Sequence, residues 1–262
     1  VDFKKGASMP RIMLRSLVFH GAFYLNCTLW FLLTLVSWPF PPAATMVCAR
    51  SWAKSSLYLH ELITGARVEV RGVARIPEGP VLVAAKHHSA WETMALLLFF
   101  PKATYIFKRE LLFVPLFGLH LLKAQQVPIN RGNRSEAMAS ITRGVKKAME
   151  RGRQVLIFPE GTRRPAGAKP AYRFGVARIY ETLHQPCVPV AMTSGLAWPR
   201  NTFLHYPRRI ILEFLEPIPG DLAPQAFFEQ MQKSIEEGTN RLLAEVGFQA
   251  GDETLSRSQL NA

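Results

Sequence analysis

Apolar and polar positions along this chain fall into two regimes. Residues 16–38, SLVFHGAFYLNCTLWFLLTLVSW, contain no side chain with a full charge, and His20 is the one that protonation could charge. A helix needs about 20 such residues to span a bilayer, and signal peptides have shorter apolar cores ending in a small-residue cleavage site. Here Trp30, Trp38 and the run PFPP (39–42) follow instead. The segment is therefore expected to be retained and to meet a membrane. A prolyl break followed by the moderately apolar stretch 43–63 suits a helical hairpin dipping into one leaflet. A single span and a buried core helix are the competing arrangements.

From Arg67 onward the pattern becomes one of short apolar or alternating runs separated by helical stretches. Strands are expected at 67–72, 80–85, 103–107, 127–129, 154–158, 187–192 and 209–215. Several are apolar throughout, as strands buried on both faces are. In 135–151, Met138, Ile141, Thr142, Val145, Ala148 and Met149 form one helical stripe, with Ser135 as N-cap. Segments 174–183 and 224–246 also read as helices. This alternation predicts an α/β fold: a mixed, mostly parallel sheet flanked by helices. The expected organisation is a membrane-associated helical region at 1–63, an α/β domain at 64–250 and a polar tail at 251–262.

Polar signals follow three of these strands. KHH (86–88) follows PVLVAA, NRGNR (130–134) follows VPI, and PEGTRRP (159–165) follows QVLIF. Ligands of open α/β sheets bind outside the carboxyl ends of the strands. If these strands run parallel, histidine, arginine and glutamate side chains converge on one cleft.

Within HHSAWE (87–92), Ser89-x-x-Glu92 is a capping-box pattern, which alone accounts for the glutamate. It does not account for two histidines at a strand end. His88 and Glu92 are four apart and could share a helical face. His87 and Glu92 meet only if His87 lies in the turn before the helix, which is where the capping box puts that turn. A metal reading is weaker, because His-His-x-x-x-Glu offers at most three ligands and H-E-x-x-H is absent.

Charge sharpens the picture. There are 32 Lys and Arg against 19 Asp and Glu, a formal net charge of +13, in a chain that is 48% hydrophobic. Basic charge seeks anionic partners. Combined with this apolarity it favours a membrane surface over nucleic acid. Three widely spaced cysteines, Cys27, Cys48 and Cys187, indicate neither a disulfide framework nor a zinc ribbon.

Four motifs in order resemble those of the glycerolipid acyltransferases. HHSAWE resembles their H-x-x-x-x-D block and FPEGTRRP (158–165) their F-P-E-G-T-R-S block. VPINR (127–131) is similar to a motif ending in isoleucine-x-arginine, and CVPVAM (187–192) to valine-proline-valine. Within the family the likeness is to the bacterial lysophosphatidic acid acyltransferases, and it covers about residues 67–215. Glu92 replaces the usual aspartate, Lys86 a common asparagine, and Pro128 interrupts the second motif.

The resemblance implies transfer of a fatty acyl group from acyl-CoA or acyl carrier protein to the free sn-2 hydroxyl of lysophosphatidic acid, giving phosphatidic acid, with no cofactor. Histidine suits the base that such an alcohol needs. His87 is the expected base and Glu92 its orienting acid. Since a thiolate leaves readily, no covalent intermediate is required, and Ser89 is a cap. Arg131 and Arg163 are the implied phosphate ligands, with Glu160, Gly161 and Thr162 shaping the glycerol end. Lys108 is a further candidate for the phosphate, with a surface role as its alternative. The implied location is the bacterial inner membrane, with the catalytic part on the cytoplasmic side, although both flanks of 16–38 are basic. Another lysolipid acceptor, such as a lysophospholipid or lyso-ornithine lipid, and a non-catalytic module binding anionic lipid are the competing functions.

Overall fold

The structure, a computed structural model, describes residues 8–114, 117–129 and 134–248. Arg131, the Ser135 side chain and the tail 251–262 lie outside what it describes; Ser135, expected as an N-cap, falls within the helix that begins at Arg134. Among the described residues, seven strands appear where the hydrophobic pattern places them. They are β1 (Arg67–Arg71), β2 (Leu82–Ala85), β3 (Ala103–Lys108), β4 (Val127–Ile129), β5 (Gln154–Ile157), β6 (Cys187–Met192) and β7 (Arg209–Phe214). The sheet order is β1-β7-β6-β2-β5-β3-β4. β6, β2, β5, β3 and β4 run parallel to one another; β7 pairs antiparallel with β6 and parallel with β1. The mixed, mostly parallel sheet is thus as expected.

Pro128 is tolerated because β4 is the last strand of the sheet and pairs with β3 alone. An edge strand has one side where no ladder donor is needed.

Side chains of β2 alternate between two cores, as the two-residue strand period requires. Val83 and Ala85 face helices α2 (Pro42–Thr64) and α3 (Trp91–Phe99), packing with Leu57, Trp91 and Met94. Leu82 and Ala84 face α5 (Arg134–Glu150), α6 (Gly175–Leu183) and α7 (Pro224–Glu245), packing with Val145, Tyr180 and Met231. The stripe read on α5 is real: Ile141, Val145, Ala148 and Met149 are buried. The short α4 (Phe117–Lys123) has no counterpart in the periodicity, being two turns long.

Helix α1 (Met9–Val36) and α2 form the helical hairpin expected from PFPP. Pro42 opens α2, and Gly65 closes it in the left-handed region at φ 80°, with its N–H on the Glu61 carbonyl. A polar seam holds the antiparallel pair. The Asn26 amide donates to Ser56 Oγ at 2.9 Å, the Trp30 indole to Ser55 Oγ at 3.0 Å, and Arg15 to the Thr64 carbonyl at 3.2 Å. The hairpin docks through an aromatic cluster in which Phe19 meets Trp198 edge-on and His60 stacks on Trp198. His60 and His205 are buried packing groups there.

The outer face of α1 is uncovered. Leu14, Leu17, Leu25, Leu29, Leu32 and Val36 are exposed, and α1 is long and apolar enough to cross a membrane. A core helix would have this face covered by protein. The bare face fits membrane association. Full-length protein is expected to resist extraction by high salt and to require detergent, because apolar insertion is insensitive to the screening that releases surface charge. Quantitative release by salt alone would show that α1 is covered in some other way.

Candidate active site

The parallel strands bring the sequence motifs to one edge of the sheet. His87 follows β2, the loop 159–165 follows β5, Lys108 ends β3, and Ser194 follows β6. β2 pairs directly with both β5 and β6, so the blocks they carry are adjacent.

Two histidines leave β2 and they go to different places. His88 is buried, with the Met192 carbonyl as a polar neighbour, and burial pushes its pKa down to about 4. It is a neutral packing group against Gly195. The His87 side chain is 16% exposed, and its ring stacks on Phe158 at 3.9 Å between centroids. His87 Nδ1 lies 3.0 Å from Glu92 Oε1. With Nδ1 committed there, Nε2 is the nitrogen left for a substrate proton.

Glu92 does two jobs with one carboxylate. It lies on the first turn of α3 and is fully buried. Its Oε1 accepts the backbone N–H of His88 at 2.7 Å and of Ser89 at 2.6 Å, besides facing His87. Ser89 Oγ accepts the Trp91 N–H at 3.1 Å. The bond from Ser89 N–H to Glu92 is the one the capping-box pattern predicts. The structural and chemical readings of Glu92 therefore coexist. Its Oε2 accepts the Ser194 hydroxyl at 2.7 Å. Burial alone would raise the Glu92 pKa. The His87 bond and charge, the Ser89 N–H and the Ser194 hydroxyl outweigh it and hold the carboxyl below its ordinary value. An ionised, fully bonded carboxylate is suited to fix the imidazole tautomer and stabilise an imidazolium.

The loop after β5 locks onto the same turn. Glu160 Oε2 accepts the His87 N–H at 3.2 Å, and the Arg164 N–H donates to the His87 carbonyl at 2.8 Å. Glu160 is itself buried, and its Oε1 accepts from Lys86 Nζ at 3.0 Å. This carboxylate, expected at the glycerol end, also bonds to the protein and holds the His87 backbone. Gly161 holds φ 67°, in the region that favours glycine, and a Cβ there would come within 3.1 Å of Arg173 Nε. Thr162 and Arg163 are partly exposed on this loop, and the Arg163 carbonyl accepts from Arg200 at 2.7 Å. Lys108 is exposed at the end of β3, level with Ile129 of β4. Among the described residues no group of three or more His, Cys, Asp or Glu side chains is placed to hold a metal ion.

Sequence reading missed several members. Ser194 carries no spacing signal, although like the histidines it follows an apolar strand. Arg164 and Arg173 flank the loop and add to its positive charge. Lys86, a departure from the family pattern, is explained by α7. Its Nζ lies 2.6 Å from Glu236 as well as on Glu160, and the Tyr172 hydroxyl donates to the same Glu236 oxygen at 2.7 Å. Changing Lys86 to Met leaves two carboxylates facing each other in a buried site. It is expected to cost about 3–5 kcal/mol, read as a fall in melting temperature, and Glu236→Gln in the same chain should restore part of it.

Comparisons with known proteins place the chain in a family. The chain is 32% identical over 199 residues to the 1-acyl-sn-glycerol-3-phosphate acyltransferase of Pseudomonas aeruginosa, covering 75% of this chain and 77% of that protein. It belongs to the 1-acyl-sn-glycerol-3-phosphate acyltransferase family. The family model described as Acyltransferase matches residues 67–193, which include His87, Glu92 and the loop 159–165 but end before Ser194 and Glu236. The human 1-acyl-sn-glycerol-3-phosphate acyltransferase alpha is 29% identical over 141 residues, 53% of this chain and 50% of that protein. The crystal structure of the 1-acyl-sn-glycerophosphate (LPA) acyltransferase PlsC of Thermotoga maritima superposes with a TM-score of 0.74 at 20% identity, covering 88% of this chain and 97% of that one. That likeness establishes the fold. This acyltransferase departs from the family's histidine–aspartate pattern only by one methylene, and Glu92 still reaches Nδ1.

Proposed function

We propose that this protein transfers a fatty acyl group from a thioester to the sn-2 hydroxyl of lysophosphatidic acid, at the surface of the bacterial inner membrane with the catalytic part on the cytoplasmic side. The observation that carries the reading is the His87–Glu92 pair at 3.0 Å, with the arginine-bearing loop bonded to the His87 carbonyl. His87 Nε2 takes the proton of the acceptor hydroxyl as oxygen attacks the thioester carbonyl. The resulting imidazolium rests against Glu92, then returns the proton to the departing thiolate. The attack forms the C–O bond and the collapse that follows breaks the C–S bond, so the whole transfer exchanges one for the other with no enzyme-bound acyl group.

The phosphate of the acceptor is assigned to Arg163, with Arg164 and Arg173 adding charge and Arg131 and Lys108 as further candidates. Thr162 and Gly161 line the approach. Arginine binds phosphate in a bidentate fashion, and one such charge-assisted bond is worth about 1.5–3 kcal/mol. Arg163→Ala is expected to raise the KM for the acceptor by about ten-fold or more and to leave that of the donor nearly unchanged. Equal weakening of both would assign Arg163 to holding the loop.

The activity itself is tested with purified full-length protein in mixed micelles, lysophosphatidic acid, and either acyl-CoA or acyl carrier protein as donor. Products are identified by lipid mass spectrometry. Phosphatidic acid is the expected product with at least one donor. Faster acylation of a lysophospholipid with a bulky headgroup, or of lyso-ornithine lipid, would redirect the assignment to that acceptor.

A further inference from the structure

At the opposite edge of the sheet from His87 the structure holds a second basic site. Residues preceding β3, β4 and β5 meet the first turns of α2 around a cavity of about 340 Å³. Its walls include Lys102, Arg151 and Arg153 from the segments before β3 and β5, and Pro42, Met46 and Arg50 from α2, and no carboxylate lines it. A neighbouring hollow shares Arg151 and Arg153 and adds Lys147.

The charges here are unanswered. Among the described residues no ion pair includes Arg50, Lys102, Arg151 or Arg153. Arg153 is 8% exposed, and its guanidinium donates only to neutral oxygens: Thr104 Oγ1, the Ala103 and Ala124 carbonyls, and Gln125 Oε1. Arg50 likewise donates to the Leu97 and Leu98 carbonyls. Burial, and then the nearby Arg151, pull the Arg153 pKa below the ordinary guanidinium value. Buried charges are normally paired. Arg151 gives one bond to Gln125 Oε1 and, with Lys102, is exposed at the cavity, so four cations surround a space that no carboxylate lines, an arrangement an anion completes with Lys102 and Arg151 as its direct partners.

The other wall says which anion. It is the start of α2, just after the hairpin turn where Trp38 and Phe40 are exposed and where the bare apolar face of α1 ends at Val36. A phosphate bearing acyl chains satisfies both walls, with its headgroup among the cations and its chains along the hairpin. We propose that this cavity binds the phosphate of an anionic phospholipid, at a site separate from the active site. Arg11 and Arg15 lie at the far end of α1, so such a lipid would pin the second end of the hairpin to the leaflet and lay α1 along it. The proposal draws on the membrane reading of the hairpin and not on the acyl-transfer chemistry.

The test uses full-length protein in neutral-detergent micelles, titrated calorimetrically with dihexanoyl phosphatidylglycerol and, separately, with inorganic phosphate. Lys102→Ala/Arg151→Ala removes two exposed cations of the cavity. Lys146→Ala/Lys233→Ala removes two exposed cations elsewhere and serves as the charge-matched control. The lipid is expected to bind wild type and to weaken about ten-fold or more in the cavity variant, with a change of less than about three-fold in the control. Inorganic phosphate is expected to bind more weakly than the lipid. Absence of lipid binding to wild type, or equal loss in both variants, would overturn the site. Phosphate binding as tight as the lipid, with the same dependence on the cavity residues, would overturn the lipid assignment in favour of a soluble anion. Should the alanine pair lower the melting temperature, Lys102→Gln/Arg151→Gln applies the same criterion with the side-chain packing kept.

Discussion

Replacing His87 with alanine is expected to reduce acyl transfer by about 10²–10⁴-fold, the usual cost of losing a general base, while the protein stays folded and membrane-bound. His87 is the one histidine of the pair that reaches the surface of the site, and its Nδ1 is held by Glu92 at 3.0 Å. Its removal takes away a partly exposed ring stacked on Phe158, so a melting curve should accompany the kinetics. His88→Ala is the companion measurement. It empties a fully buried position against Gly195, so it should lower the melting temperature and leave the chemistry of the surviving folded protein intact. If turnover survived in His87→Ala and vanished in a stably folded His88→Ala, the base would be the other histidine.

Glu92→Gln is the second large effect. Glutamine keeps an oxygen for the His88 and Ser89 N–H groups, so the turn before α3 should persist. It loses the negative charge that fixes the His87 tautomer and stabilises the imidazolium, and turnover is expected to fall by about 10²-fold or more with little change in acceptor KM. A neutral residue at this place also changes the response to acid. The folded Glu92 pKa is depressed, so its ionised form adds stability that is present above the unfolded carboxylate value of about 4.3 and is lost as pH falls through the folded value. The stability gap between wild type and Glu92→Gln should therefore be widest near neutrality and close in acid. A gap that does not vary with pH, with turnover near wild type, would leave Glu92 as a capping residue only.

Most of the architecture was legible in the chain because its periods are strong. All seven strands are short apolar or alternating runs bounded by turn residues, and α5, α6 and α7 carry clean 3.6-residue stripes. The reversed direction of β7 was not legible, since a strand buried on both faces reads the same in either orientation. α4 escaped because two turns give too little periodicity to stand out.

For the candidate site, the sequence by itself determined which blocks follow the strands: histidines after β2, Glu-Gly-Thr-Arg after β5, and an acid at a spacing compatible with both a cap and a dyad. Local chemistry fixes these, because the turn that frees His87 is the one Glu92 caps. Only the tertiary structure showed that His88 is buried and His87 partly exposed, since burial depends on what β6 and its following turn pack against. It alone brought Glu160 to the His87 backbone N–H and to Lys86, which also reaches Glu236 on α7, 76 positions beyond Glu160. It alone brought Ser194 to the second oxygen of Glu92. Such contacts join residues far apart in the chain, and no local pattern encodes them; they exist because parallel strands deliver their carboxyl ends to one edge.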